Sequence, residues 1–72
     1  MEIAMNERER IGLLVAEKRM AADLSIRELS AKCEVPYQNI TKIEKGKYNA
    51  SVDLLSKICS ALGCKIDIVA DN

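Results

Sequence analysis

Between Val35 and Ala50 the chain concentrates side chains able to hydrogen-bond: Tyr37, Gln38, Asn39, Thr41, Lys42, Lys45, Lys47 and Asn49. The same stretch holds the only local excess of positive charge, +2 over residues 35–50, whereas the whole 72-residue chain carries 11 basic and 11 acidic residues and no net charge. Global charge therefore gives no argument for a nucleic-acid partner, and this segment alone has to carry that case. Three lysines by themselves describe a solvated face, so the surrounding pattern decides.

Other chemistry is thin. The absence of histidine removes the usual general base and the commonest nitrogen ligand for metals. Cys33, Cys59 and Cys64 are odd in number and contain no C-x-x-C pair, which suits neither a disulfide framework nor a zinc site. They read as reduced core thiols of a cytoplasmic protein, with no metal and no cofactor expected. Ser25 and Ser51 each stand where a helix begins, without a base beside them, and read as caps rather than nucleophiles. No glycine-rich phosphate loop occurs, so an enzyme is the weakest reading. Apolar runs are only a few residues long, and Met1 to Met5 lacks a basic leader, so neither membrane insertion nor secretion is expected.

Helices must position the polar stretch. With 49% hydrophobic residues the chain can fold, though a domain this short buries only about 60% of its unfolded surface. Asn6, followed by Glu7 and Glu9, starts a helix over about 7–22, with Ile11, Leu14, Val15 and Ala22 at helical spacing. Asp23 and Leu24 break it. Ser25-Ile26-Arg27-Glu28 is a capping box opening a short helix to about Cys33. Pro36 suits the first turn of a third helix that ends before Gly46, with Ile40 and Ile43 buried. Ser51 caps a fourth, whose stripe is Val52, Leu55, Ile58, Cys59 and Leu62, with Gly63 as its stop. Beyond Gly63 the period becomes two: Cys64, Ile66, Ile68 and Ala70 alternate with polar or outward positions, which predicts a strand over 64–70. A lone strand has no ladder partner, so the pattern predicts pairing with a second copy.

Two short helices joined by a tight turn, the second with a polar outer face, describe a helix-turn-helix over residues 25–45. Leu29, Cys33, Val35, Ile40 and Ile43 fill the apolar positions such a unit needs. On these residues the chain resembles the phage-repressor and Cro-like (XRE-type) helix-turn-helix family. The resemblance runs from Arg19 through Ser51-Val52-Asp53-Leu54-Leu55 to Gly63, 45 of the 72 residues. Three positions depart from the family pattern: Ser30 where a small alanine is usual, Glu34 where glycine is common, and Ile26 where a polar residue often contacts phosphate. A left-handed Glu34 would cost about 1 kcal/mol.

Carried across position by position, the resemblance implies that Tyr37, Gln38 and Lys42 read bases, with Thr41 beside them. Glutamine can hold adenine bidentately, lysine can donate to guanine, and tyrosine can bond a base or pack on a thymine methyl. It also implies phosphate contacts from Asn39, Lys45, Gly46, Lys47 and Asn49, and a structural ion pair between Arg19 and Glu44. The competing reading of Tyr37 is a ring packed at the helix start, and of Gln38, Asn39 and Thr41 a solvated face.

The fold expected is all-α: a four-helix repressor-like DNA-binding domain, single over residues 1–72, with a C-terminal β-strand (Cys64, Ile66, Ile68) pairing across a dimer. The function implied is a homodimeric, sequence-specific transcriptional regulator, in particular a repressor, on a palindromic double-stranded DNA operator. The strand resembles that of HipB-like antitoxins, which implies a toxin protein as a further partner. A protein-interaction module that keeps the fold without binding DNA is the competing reading, favoured by the zero net charge.

Overall fold

The computed structural model describes residues 5–71. Four helices account for the regular structure: α1 (Glu7–Ala21), α2 (Ile26–Cys33), α3 (Tyr37–Glu44) and α4 (Val52–Ala61). α3 lies centrally, packed on both α1 and α2, and α4 closes the other side of α2. Among the described residues no helix is long and apolar enough to cross a membrane.

Helix starts are set by local hydrogen bonding. The Asn6 side chain accepts from the Glu9 amide at 2.8 Å while Glu9 Oε1 accepts from the Asn6 amide at 3.0 Å, so α1 opens with a full capping box. Ser25 and Glu28 do the same for α2, at 3.0 and 2.8 Å. Ser51 Oγ accepts from the Leu54 amide at 3.1 Å to open α4. α3 starts without a side-chain cap: Pro36 is the N-cap residue, one position earlier than the first turn, and its carbonyl accepts from the Asn39 and Ile40 amides.

The ends are set by backbone handedness. Glu34 terminates α2 with φ 59° and ψ 36°, the left-handed conformation that the missing glycine would have adopted freely. Ser30 helps hold this turn, its Oγ donating to the Val35 carbonyl at 2.6 Å. Its hydroxyl thereby satisfies a carbonyl of the turn. Asp23, at φ 60°, ends α1 similarly, with the Leu24 amide donating back to Arg19 O at 3.1 Å. α1 thus stops at Ala21, and Ala22 is an exposed cap rather than part of the apolar face.

The core is Val15, Leu29, Cys33, Val35, Ile40, Ile43 and Ile58, with Leu29, Ile40 and Ile58 wholly inaccessible. Every helix contributes to it. Around its rim pack Ile11, Leu24, Ile26, Tyr48, Leu54, Leu55 and Leu62. Besides Ala22, two residues assigned to apolar faces by spacing lie outside: Leu14 is 42% and Val52 70% exposed. For Val52 the reason is position, since the first residue of α4 precedes the turn that meets α2, and Leu54 packs against the core instead.

α1 meets the end of α3 at Gly12, which is buried. A Cβ at Gly12 would collide with the Ile43 carbonyl and press on that of Glu44, so only glycine permits the two backbones to approach this closely.

Residues 64–71 do not form the expected strand; among the described residues none is in a strand. Ile66, Ile68 and Val69 are 45%, 96% and 78% exposed. A strand exists only through its ladder, and the single chain offers this segment no edge to bond to. Its alternating pattern is real, but only Cys64 gains partial cover. The antitoxin resemblance, which rested on that strand, loses its support.

Candidate nucleic-acid interface

α3 is held from below and open above. Ile40 and Ile43 sink into the core at 0% and 3% exposure, while Gln38 and Lys42 occupy the opposite arc of the helix, with Thr41 and then Tyr37 on its flank. Gln38 and Lys42 are exposed, and Thr41 is half-buried with its hydroxyl donating to the Tyr37 carbonyl at 3.0 Å. Thr41 therefore offers a ligand its oxygen and methyl group rather than its proton. Asn39 is half-buried, at the flank between the open face and the core.

The polar residues after α3 extend this surface. Lys45, Lys47 and Asn49 are exposed. Gly46 is half-buried at φ +71°, and the Lys47 amide returns to Lys42 O at 2.9 Å, which reverses the chain so that Lys45 and Lys47 leave the helix end together. A Cβ at Gly46 would also press on Glu9, so glycine is required there both for handedness and for space.

Tyr37 is neither a free reader nor a buried core ring. The Arg27 guanidinium, from the first turn of α2, lies 4.2 Å from its ring centroid. Stacking of a cation on an exposed aromatic face is worth about 0.5–1 kcal/mol and fixes the ring plane. Arg27 is exposed, so it adds a positive charge beside the start of α3. Arg27 is absent from the sequence-derived set, because the stacking depends on how the turn folds the start of α2 over the start of α3. The one available signal is a basic residue directly inside the α2 capping box.

The far end of α3 is tethered by an ion pair. Arg19 Nε and Nη2 donate to the two carboxylate oxygens of Glu44 at 2.8 and 3.0 Å, and Nη1 donates to the Leu24 carbonyl at 2.9 Å. Their side chains are only 15% and 10% exposed. The Glu44 carboxylate raises Arg19 further above its ordinary pKa. One guanidinium thus locks together the end of α1, the link into α2 and the last turn of α3.

The geometry presents a mixed polar and cationic helix face. The capping serines accept bonds from helix amides. Among the described residues no group of three or more His, Cys, Asp or Glu is placed to hold a metal ion. Such a face can hydrogen-bond to base edges and neutralise phosphates.

Comparison with known proteins points the same way. A helix-turn-helix family model matches residues 15–69. The transcriptional regulator ClgR of Mycobacterium tuberculosis, in strains CDC 1551 and H37Rv, is 34% identical over 62 residues, which cover 86% of this chain and 55% of the relative. The chain thus spans about half the length of the curated relatives it matches. A crystal structure of the clp gene regulator ClgR from Corynebacterium glutamicum superposes with a TM-score of 0.84 at 26% identity, covering 92% of this chain and 85% of that one. A second ClgR structure from the same organism gives 0.77 at 29% identity, covering 81% and 62%.

Proposed function

Because this chain belongs to the helix-turn-helix family, we propose that it binds double-stranded DNA through α3 and regulates transcription. The observation that carries this reading is the construction of α3: an underside at 0–3% exposure beneath an open face of Gln38, Lys42 and an arginine-stacked Tyr37. A helix buried so firmly on one side and so polar on the other is suited to insertion in a major groove. Similarity to transcriptional regulators of two organisms supports the same reading.

In detail, Gln38 and Lys42 read base edges, Thr41 offers its methyl group and oxygen, and Tyr37 packs against a base or sugar while Arg27 holds its ring. Lys45, Lys47, Asn49 and Asn39 grip phosphates and set the register, while the Gly46 amide, spent on the Ile43 carbonyl at 3.0 Å, serves the turn that carries Lys45 and Lys47. The protein acts as a homodimer whose two α3 helices sit about 34 Å apart on a palindromic operator, and occupancy of that operator represses transcription.

The test is binding to a site selected from random sequence, compared with an unselected duplex, at two salt concentrations. The log of affinity should fall linearly with the log of salt. Gln38→Ala should lose about 1–3 kcal/mol on the selected site and little on random DNA, whereas Lys47→Ala should weaken both alike and reduce the salt slope by about one. No duplex binding at low salt would instead assign the chain to the class of protein-interaction modules, the reading that its zero net charge favours.

A further inference from the structure

The end of α4 brings together two cysteines that the sequence separates by four residues. Gly63 adopts φ +71°, its amide donates to Ser60 O at 3.2 Å, and the Cys64 amide donates to Cys59 O at 2.9 Å. This six-to-one closure is the helix-end motif in which the residue after the glycine packs its side chain on the residue three before the cap. Here both residues are cysteines. Both are half-buried free thiols, and both line one cavity of about 400 Å³ between α1, α4 and the C-terminal segment, beside Leu55, Leu62 and Ile11. No residue of α3 lines that cavity, so whatever happens there is spatially separate from the face proposed for DNA.

We propose that Cys59 and Cys64 are a reactive dithiol that closes to an intramolecular disulfide by exchange with a small-molecule disulfide such as oxidised glutathione. The backbone closure brings the two residues to one helix end and one cavity wall, and the cavity gives an oxidant access. Cys64, which lies beyond α4 on the C-terminal segment, makes the first attack, and Cys59, held within α4, resolves the adduct. The Cys64 thiolate attacks one sulfur of the oxidised glutathione, forming a mixed disulfide and expelling one glutathione thiolate. Cys59, giving up its proton, then attacks Cys64 Sγ and expels the second. Two cysteine thiols are oxidised, the glutathione disulfide is reduced to two thiols, and the two protons end on the released glutathiones. Cys33, at 6% exposure inside the core, takes no part.

Intact-mass measurement on the full chain treated with oxidised glutathione, followed by alkylation in denaturant, tests this directly. The expected product is a single chain about 2 Da lighter, with Cys33 alone alkylated, and it reverts on treatment with a thiol reductant. Cys59→Ser should stop at a glutathione adduct on Cys64, and Cys64→Ser should form no bridge. A persistent adduct on the unmodified sequence, a bridge to Cys33, a link between two chains or no reaction would each overturn the proposal.

Discussion

Isoleucine pairs in two regions of this molecule meet opposite fates. Ile40 and Ile43 of α3 are 0% and 3% exposed, beneath helices that reach them from two sides. Ile66 and Ile68, past the end of α4, are 45% and 96% exposed and belong to no element. Their side chains are the same, and both segments are amphipathic, one at helical spacing and the other at a period of two. What differs is that the helix completes its backbone hydrogen bonds within itself before packing, while an extended segment must find another strand to do so. Apolar patterning therefore states which face seeks cover, and backbone satisfaction decides whether a single chain can provide it.

The largest test of this contrast is truncation of one residue from each region. Ile40→Ala should destabilise by about 2–5 kcal/mol, the lost burial plus the cavity left behind, whereas Ile68→Ala should stay within about 0.5 kcal/mol. Urea unfolding measures both, and a comparable loss at Ile68 would show that the C-terminal segment is packed in solution, as in a dimer.

Next in size is the tether that the α3 region has and the C-terminal segment lacks. Arg19→Ala or Glu44→Ala should each cost about 2–3 kcal/mol, above the 0–1 kcal/mol of an exposed pair, because the survivor is left poorly hydrated. A double-mutant cycle should return a coupling of similar size, and additive losses would reduce the pair to a surface contact.

The two regions also turn differently. Glu34 takes a left-handed backbone without being glycine, so Glu34→Gly should stabilise by up to about 1 kcal/mol. Gly63 takes the same conformation with open space around its α-carbon, so Gly63→Ala should lose about 1 kcal/mol through backbone strain alone. Thermal unfolding of the two variants would move in opposite directions.

The smallest effect concerns acid. Hydrogen bonds from the Ser25 backbone, then its side chain, hold the Glu28 carboxyl below its ordinary value of 4.5. A depressed folded pKa means that its contribution is complete above that ordinary value and is lost as pH falls through the folded one. Glu28→Gln should lower stability slightly near neutrality, where the ionised carboxylate contributes, and leave it unchanged once acid has protonated Glu28, so the acid limb flattens.

Most of the helical framework was legible because caps are local chemistry. Asn6, Ser25 and Ser51 announce their helices within three residues, and Gly46 and Gly63 announce ends. The open face of α3 follows from its period, since Ile40 and Ile43 fix which side is down. Features that depend on how separate segments meet were not legible. The Arg27 stack on Tyr37 arises only after the turn folds, Gly12 is an unremarked residue until α3 lies across it, and the Cys59–Cys64 contact requires the reversal at Gly63. The strand was misread because alternation reports side chains, and a strand is decided by its neighbours.

Gly12 bears on how such a protein can be regulated. Where two helices touch through side chains, rotamer changes let one tilt against the other, and an effector can exploit that play. At Gly12 nothing stands between α1 and the carbonyls of Ile43 and Glu44. The joint has no soft layer, so α3 carries the angle that α1 imposes and behaves as a fixed tooth rather than an adjustable one.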